Sequence, residues 1–99
     1  MARRFFLEAP DPDSAFALLR SWAQASGYLL NGDGSEGSFS RVRRNLSRGQ
    51  LHLDALLFPN VSGVYSIRKA EVTLITEEAP PPSFIEGLVA AGLRRVSSQ

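Results

Sequence analysis

The two ends of the chain are built alike. Near the start the sequence reads Glu8-Ala9-Pro10-Asp11-Pro12-Asp13-Ser14-Ala15-Phe16, and near the end Glu78-Ala79-Pro80-Pro81-Pro82-Ser83-Phe84. Each stretch follows a strand-like run and leads into a run with helical spacing. Each run then reaches a glycine followed by apolar residues, Gly27-Tyr28-Leu29-Leu30 in one case and Gly92-Leu93-Arg94-Arg95-Val96 in the other. Two strand–loop–helix units bracketing a middle of strands restrict the chain to an α+β sandwich of two layers. Proline-rich strand-to-helix loops recruit the same residue types, so the likeness needs no common ancestor of the two halves.

Arg3 to Glu8 reads as a strand, with Phe5 and Leu7 on one face and Phe6 on the other. Pro10 and Pro12 end it, because proline lacks the ladder N–H and restricts the residue before it. A helix is expected from Pro12 or Asp13 to Ser26. Asp11 or Asp13 can cap it, Phe16, Leu19, Trp22 and Ala23 form its stripe, and Gly27 suits its end. Tyr28 to Leu30 is a short strand, Phe39 to about Arg44 the next, and Leu51 to Phe58 another with period-two alternation. Val64 to Thr76 reads as one long strand whose apolar parity shifts across Arg68-Lys69-Ala70, which predicts a bulge there. The last helix is expected to begin at Ser83, with Glu86 completing a capping box.

The expected order is β-α-β-β-β-β-α, with a final short strand if Gly92 ends the second helix. The fold is then a mainly antiparallel sheet of about 4–5 strands with two helices on one face. If the helix runs through Val96, the element order resembles one repeat of the TATA-box-binding (TBP-like) fold and a reduced helix-grip fold. If Gly92 stops it, the order is similar to a ferredoxin-like variant. The likeness is one of element order and not of residues.

At 99 residues the chain, positions 1–99, is one domain. With 43% hydrophobic and 21% charged residues it can bury one core and is not disordered. It has no cysteine, which rules out a disulfide, a thiolate nucleophile and a cysteine-based metal site. Phe5-Phe6-Leu7 is too short for a secretory apolar region, and no stretch reaches membrane-span length. The expected location is therefore cytoplasmic, with no membrane partner. A net charge of +1 does not by itself point to nucleic acid.

Gly32-Asp33-Gly34-Ser35-Glu36-Gly37 matches G-x-G-x-x-G in letters. The mechanism needs a helix N-terminus after the loop to face a pyrophosphate, and here the strand-like Phe39-Ser40-Arg41-Val42-Arg43 follows. A hairpin loop is the better reading. Asn31, Asp33 and Ser35 alternate as calcium ligands can. However, the sixth and twelfth positions hold Glu36 and Val42 where an EF-hand needs Gly and Glu. His52, the single histidine, shares a strand face with Asp54 and is the one side chain that could serve as a general base. No nucleophile is marked beside it, and one histidine with scattered carboxylates makes no metal centre. No cofactor, metal or catalytic residue is expected.

The basic residues offer more. Arg41, Arg43, Arg44 and Arg48 lie on one strand and its turn, and Arg68 and Lys69 on the last long strand. Parity groups Phe39 with Arg41 and Arg43, and His52 and Tyr65 can join them if the register allows. If both helices cover one sheet face, the other is open to solvent or to a partner. The sequence thus predicts a small non-enzymatic binding module, acting through that open face as a homo-oligomer or a protein adaptor. The alternative is single-stranded nucleic acid held by arginines and stacked on aromatics, although no RNP-type motif is present.

Overall fold

The computed structural model describes residues 2–41 and 61–96. Strand β1 spans Arg3–Glu8. A single 3₁₀ turn, Pro12–Ser14, leads into helix α1, Ala15–Ser26. The Asp11 carboxylate accepts from the Ser14 N–H at 2.8 Å and caps this entry. Gly27, with φ 77°, closes α1 in the left-handed conformation and returns its N–H to the Ala23 carbonyl. Strands β2 (Tyr28–Gly32) and β3 (Glu36–Arg41) form a hairpin. Strands β4 (Gly63–Arg68) and β5 (Glu71–Thr76) form a second one. Helix α2 (Pro82–Ala90) and strand β6 (Arg94–Val96) complete the described residues.

Among the described residues the sheet has six strands in the order β2-β3-β4-β5-β1-β6, and every neighbouring pair is antiparallel. Val64 to Thr76 is two strands where one was expected, and Gly92 ends the second helix so that the final short strand is present. There is no bulge at Arg68 to Ala70. Instead Arg68 pairs with Glu71, and Lys69 and Ala70 form a two-residue turn. Lys69 takes φ 58°, the positive first position that turns of the hairpin class require. A tight turn between two strands and a bulge within one produce the same parity shift in the sequence. The strand expected over Leu51 to Phe58 lies outside the described residues.

Alternating antiparallel neighbours make β1 parallel to β2, and β5 parallel to β6. The segments β1-α1-β2 and β5-α2-β6 are therefore two crossover units, and they are the two similar ends of the sequence. The first crosses the sheet leftward from an upward strand, the second rightward from a downward one. These are the same hand, so both helices fall on one face. Their contact confirms it: the Trp22 indole of α1 meets Phe84 of α2 edge to face at 5.4 Å.

Helix α2 starts one residue earlier than the sequence suggests. Pro82 occupies its first turn, Pro81 stands at the cap, and no side-chain cap bond forms, so the Ser83–Glu86 capping box is absent. The prefixed φ of proline and its missing N–H suit that position, which moves Ser83 inside the helix. At the other end Leu93 N–H reaches the Leu88 carbonyl and Gly92 N–H the Val89 carbonyl. With Gly92 at φ 114° this is the Schellman arrangement that releases the chain into β6.

The core lies between helices and sheet. Leu19, Trp22, Leu7, Leu74, Val72, Leu88 and Leu93 are buried in one cluster. Trp22 stacks on Tyr28 at 4.8 Å, and Phe39 and Phe84 close against it. Such ring pairs add about 0.5–1.5 kcal/mol each beyond the area that they bury.

Candidate interaction surface

Strand parity divides the sheet cleanly. On the helix side lie Leu7, Tyr28, Phe39, Tyr65, Val72, Leu74 and Thr76, all buried. On the other side the registered rows can be followed strand by strand. One row runs Asn31, Ser38, Val64, Ile75, Arg4. The next runs Glu36, Ser66, Thr73, Phe6, Val96. The last runs Arg68, Glu71, Glu8, Arg94. Among the described residues neither helix lies on this side. Its centre is apolar and hydroxyl-bearing, with Val64 48% exposed and Ile75, Thr73 and Phe6 half-buried. Two shallow depressions flank the Val64–Ile75 pair, one toward Ser38 and Ser40 and one toward Ser66 and Thr73.

Among the described residues charge on this side is balanced. Arg4, Arg68 and Arg94 are interleaved with Glu36, Glu71 and Glu8. Arg94 also donates to the Glu8 carboxylate at 2.6 Å across the β1–β6 pair. That pair is exposed and contributes at most about 1 kcal/mol.

The site residues expected from sequence separate into distinct settings. Phe39 and Tyr65 are 1% and 2% exposed and belong to the core, not to the open face. Arg41 does share their parity, as expected, but that parity points toward the helices. Its guanidinium donates to the carbonyls of Ser26 at 3.2 Å and Gly27 at 3.3 Å, where it meets the negative end of α1. Arg68 is exposed on the face away from the helices, and Lys69 is exposed in the β4–β5 turn. Arg43, Arg44, Arg48 and His52 lie outside the described residues. The residues that sequence reasoning passed over are Val64, Ser66, Thr73 and Ile75. Their signal was their alternation with Tyr65, Ile67, Val72 and Leu74.

The glycine-rich loop has a structural cause. The Tyr65 ring extends from β4 toward the β2–β3 hairpin and its hydroxyl donates to the Asp33 carbonyl at 2.8 Å. A Cβ placed on Gly37 would stand 2.7 Å from that hydroxyl oxygen, and one on Gly32 2.8 Å from it. The two glycines pair across β2 and β3 and leave room for the ring. At the tip, Asp33 Oδ1 accepts from the Ser35 N–H at 2.8 Å, the Ser35 hydroxyl at 2.7 Å and the Glu36 N–H at 3.1 Å. These bonds, led by the Ser35 hydroxyl, hold the carboxyl down at about 2. Burial raises both tyrosines. The Asp33 charge adds to the rise at Tyr65, and Arg41 opposes it at Tyr28.

No family model, curated protein or solved structure matches this chain. Among the described residues no helix is long and apolar enough to cross a membrane.

Proposed function

We propose that this protein is a small non-enzymatic interaction module that engages another protein surface through the sheet face opposite its helices. The supporting observation is the row of Val64 and Ile75, bordered by Ser38, Ser66, Thr73 and Phe6, on a face that carries no described helix. An apolar centre within a polar rim is the anatomy of a protein interface. The nucleic-acid alternative loses support from the same geometry. Its stacking platform required Phe39 and Tyr65, and both rings are buried beneath α1 and α2. The described arginines of this face, Arg4, Arg68 and Arg94, are interleaved with glutamates, which weakens a phosphate-tracking stripe among them.

The test is a photo-reactive amino acid introduced at position 64, with a control at the exposed Arg20 position of α1. The cross-linking is performed in the cells that make the protein. Adducts formed from position 64 and not from position 20 are expected. Equal labelling from both, or none from position 64, sinks this reading.

A further inference from the structure

We infer that the occupant of this face is a second copy of the chain, related by a two-fold axis that runs parallel to the strands midway between β4 and β5. The inference rests on the interaction-module reading and fixes its partner. The outward residues of the β4–β5 hairpin form three cross-strand pairs: Val64 with Ile75, Ser66 with Thr73, and Arg68 with Glu71. Each pair is matched in kind, being apolar with apolar, hydroxyl with hydroxyl, and cation with anion. A two-fold axis in that position lays every outward residue of β4 over the β5 residue that pairs with it in the hairpin, but now in the other copy. Val64 covers Ile75 of the second copy, Ser66 covers Thr73, and Arg68 meets Glu71. Symmetry then repeats all three contacts, as an isologous interface requires.

The arrangement stacks two sheets with their strands aligned, the common mode for sheets packed face to face at about 10 Å. An axis between β5 and β1 does worse. It would set Glu71 against Glu8 and Arg68 against Arg94, charges of like sign. Of these two seams, only β4–β5 matches itself in kind. It also explains why the charges of this hairpin stand at one end of each strand, leaving Val64 and Ile75 at the other.

The experiment measures the mass of the full chain by light scattering at tens of micromolar, for the wild type and two charge variants. The wild type is expected to be a dimer. Arg68→Glu sets carboxylate against carboxylate between copies, and Glu71→Arg sets guanidinium against guanidinium. Each variant alone should lose association by about tenfold or more. An equimolar mixture of the two should recover the dimer, because every contact between unlike copies again joins opposite charges. The pair within each hairpin stays mismatched in the mixture, so recovery can arise only between copies.

A second measurement guards against misfolding of the charge variants. The chain has no cysteine, so Ser66→Cys and Thr73→Cys copies, mixed and treated with a short bis-maleimide that spans the gap of about 10 Å between facing sheets, should join to each other. Leu29→Cys mixed with Thr73→Cys should not. A monomeric wild type, a dimer indifferent to Arg68→Glu, or failure of mixing to restore mass overturns the arrangement. Adducts from position 64 to a different protein, with a monomeric wild type, defeat this inference and leave the broader reading standing. No adducts from that position defeat both.

Discussion

Tyr65 and Asp33 are joined across the sheet: the phenol of the first donates to the backbone carbonyl of the second at 2.8 Å, passing Gly37 and Gly32 on the way. The bond ties the tip of the β2–β3 hairpin to the centre of the sheet. It also gives the glycine pattern a use that has nothing to do with phosphate.

Gly37→Ala should therefore destabilise the fold. The added methyl would meet the Tyr65 hydroxyl at 2.7 Å and the β2 backbone besides. Overpacking of this kind costs about 1–3 kcal/mol. Tyr65→Phe removes the hydroxyl and should cost about 1 kcal/mol, the net worth of one hydrogen bond. The double variant should lose less than the sum, because the phenol oxygen is one of the atoms that obstructs the methyl. Urea denaturation of the four proteins measures the coupling, and strict additivity would contradict it.

The acid limb of stability should carry the signature of Asp33. Its carboxyl titrates at about 2 in the folded chain against an ordinary 3.8. A depressed folded value means that the carboxylate stabilises the hairpin fully above the ordinary value. That contribution fades as pH falls from about 4 toward 2. Carbon-detected NMR titration of Asp33 gives the midpoint directly. Asp33→Asn, which keeps the turn acceptor and removes the charge, should flatten this part of the profile.

The alkaline limb should report the tyrosines, of which the chain has two. Both phenols are raised above 10 by burial. The folded state then favours the neutral phenol. Stability should hold below the ordinary value and fall as pH rises past it, when the unfolded chain ionises first. Ultraviolet difference titration should show no tyrosine ionising at its ordinary value while the fold persists. One normal phenol in the folded protein would contradict the placement of Tyr28 or Tyr65.

Arg41→Ala should lower thermal stability by about 1 kcal/mol, through loss of the donor that faces the Ser26 and Gly27 carbonyls at the end of α1. It should leave self-association unchanged, since Arg41 lies on the helix side. A variant with unaltered melting and weakened association would reverse that assignment.

What the sequence discloses here is mostly local. The Asp11 cap, the stripe of α1 and the left-handed Gly27 depend on residues within a turn or two of each other, and all are where the pattern puts them. The side of the sheet was not legible. Parity groups Phe39, Arg41 and Arg43 without saying whether that group faces the helices, and Phe39 is drawn inward by Trp22 and Phe84 from distant segments. The Lys69 turn was missed because neither Lys69 nor Ala70 is a residue that advertises positive φ. The Tyr65–Gly37 fit could not be read either, since it joins two hairpins through backbone space that leaves no mark beyond the glycines themselves.

The flanking of β1 by β5 and β6 sets a schedule for assembly. Strand β1 leaves the ribosome well before both of its neighbours, with Phe5 opposite Leu74 and Phe6 opposite Val96. At about 5–20 residues per second of synthesis, its apolar side waits seconds for cover. Helix α1 and the β2–β3 hairpin can form in that interval from local contacts alone. The pairings of β1 with β5 and β6 are the long-range ones, and they should make refolding slow for a chain of this length.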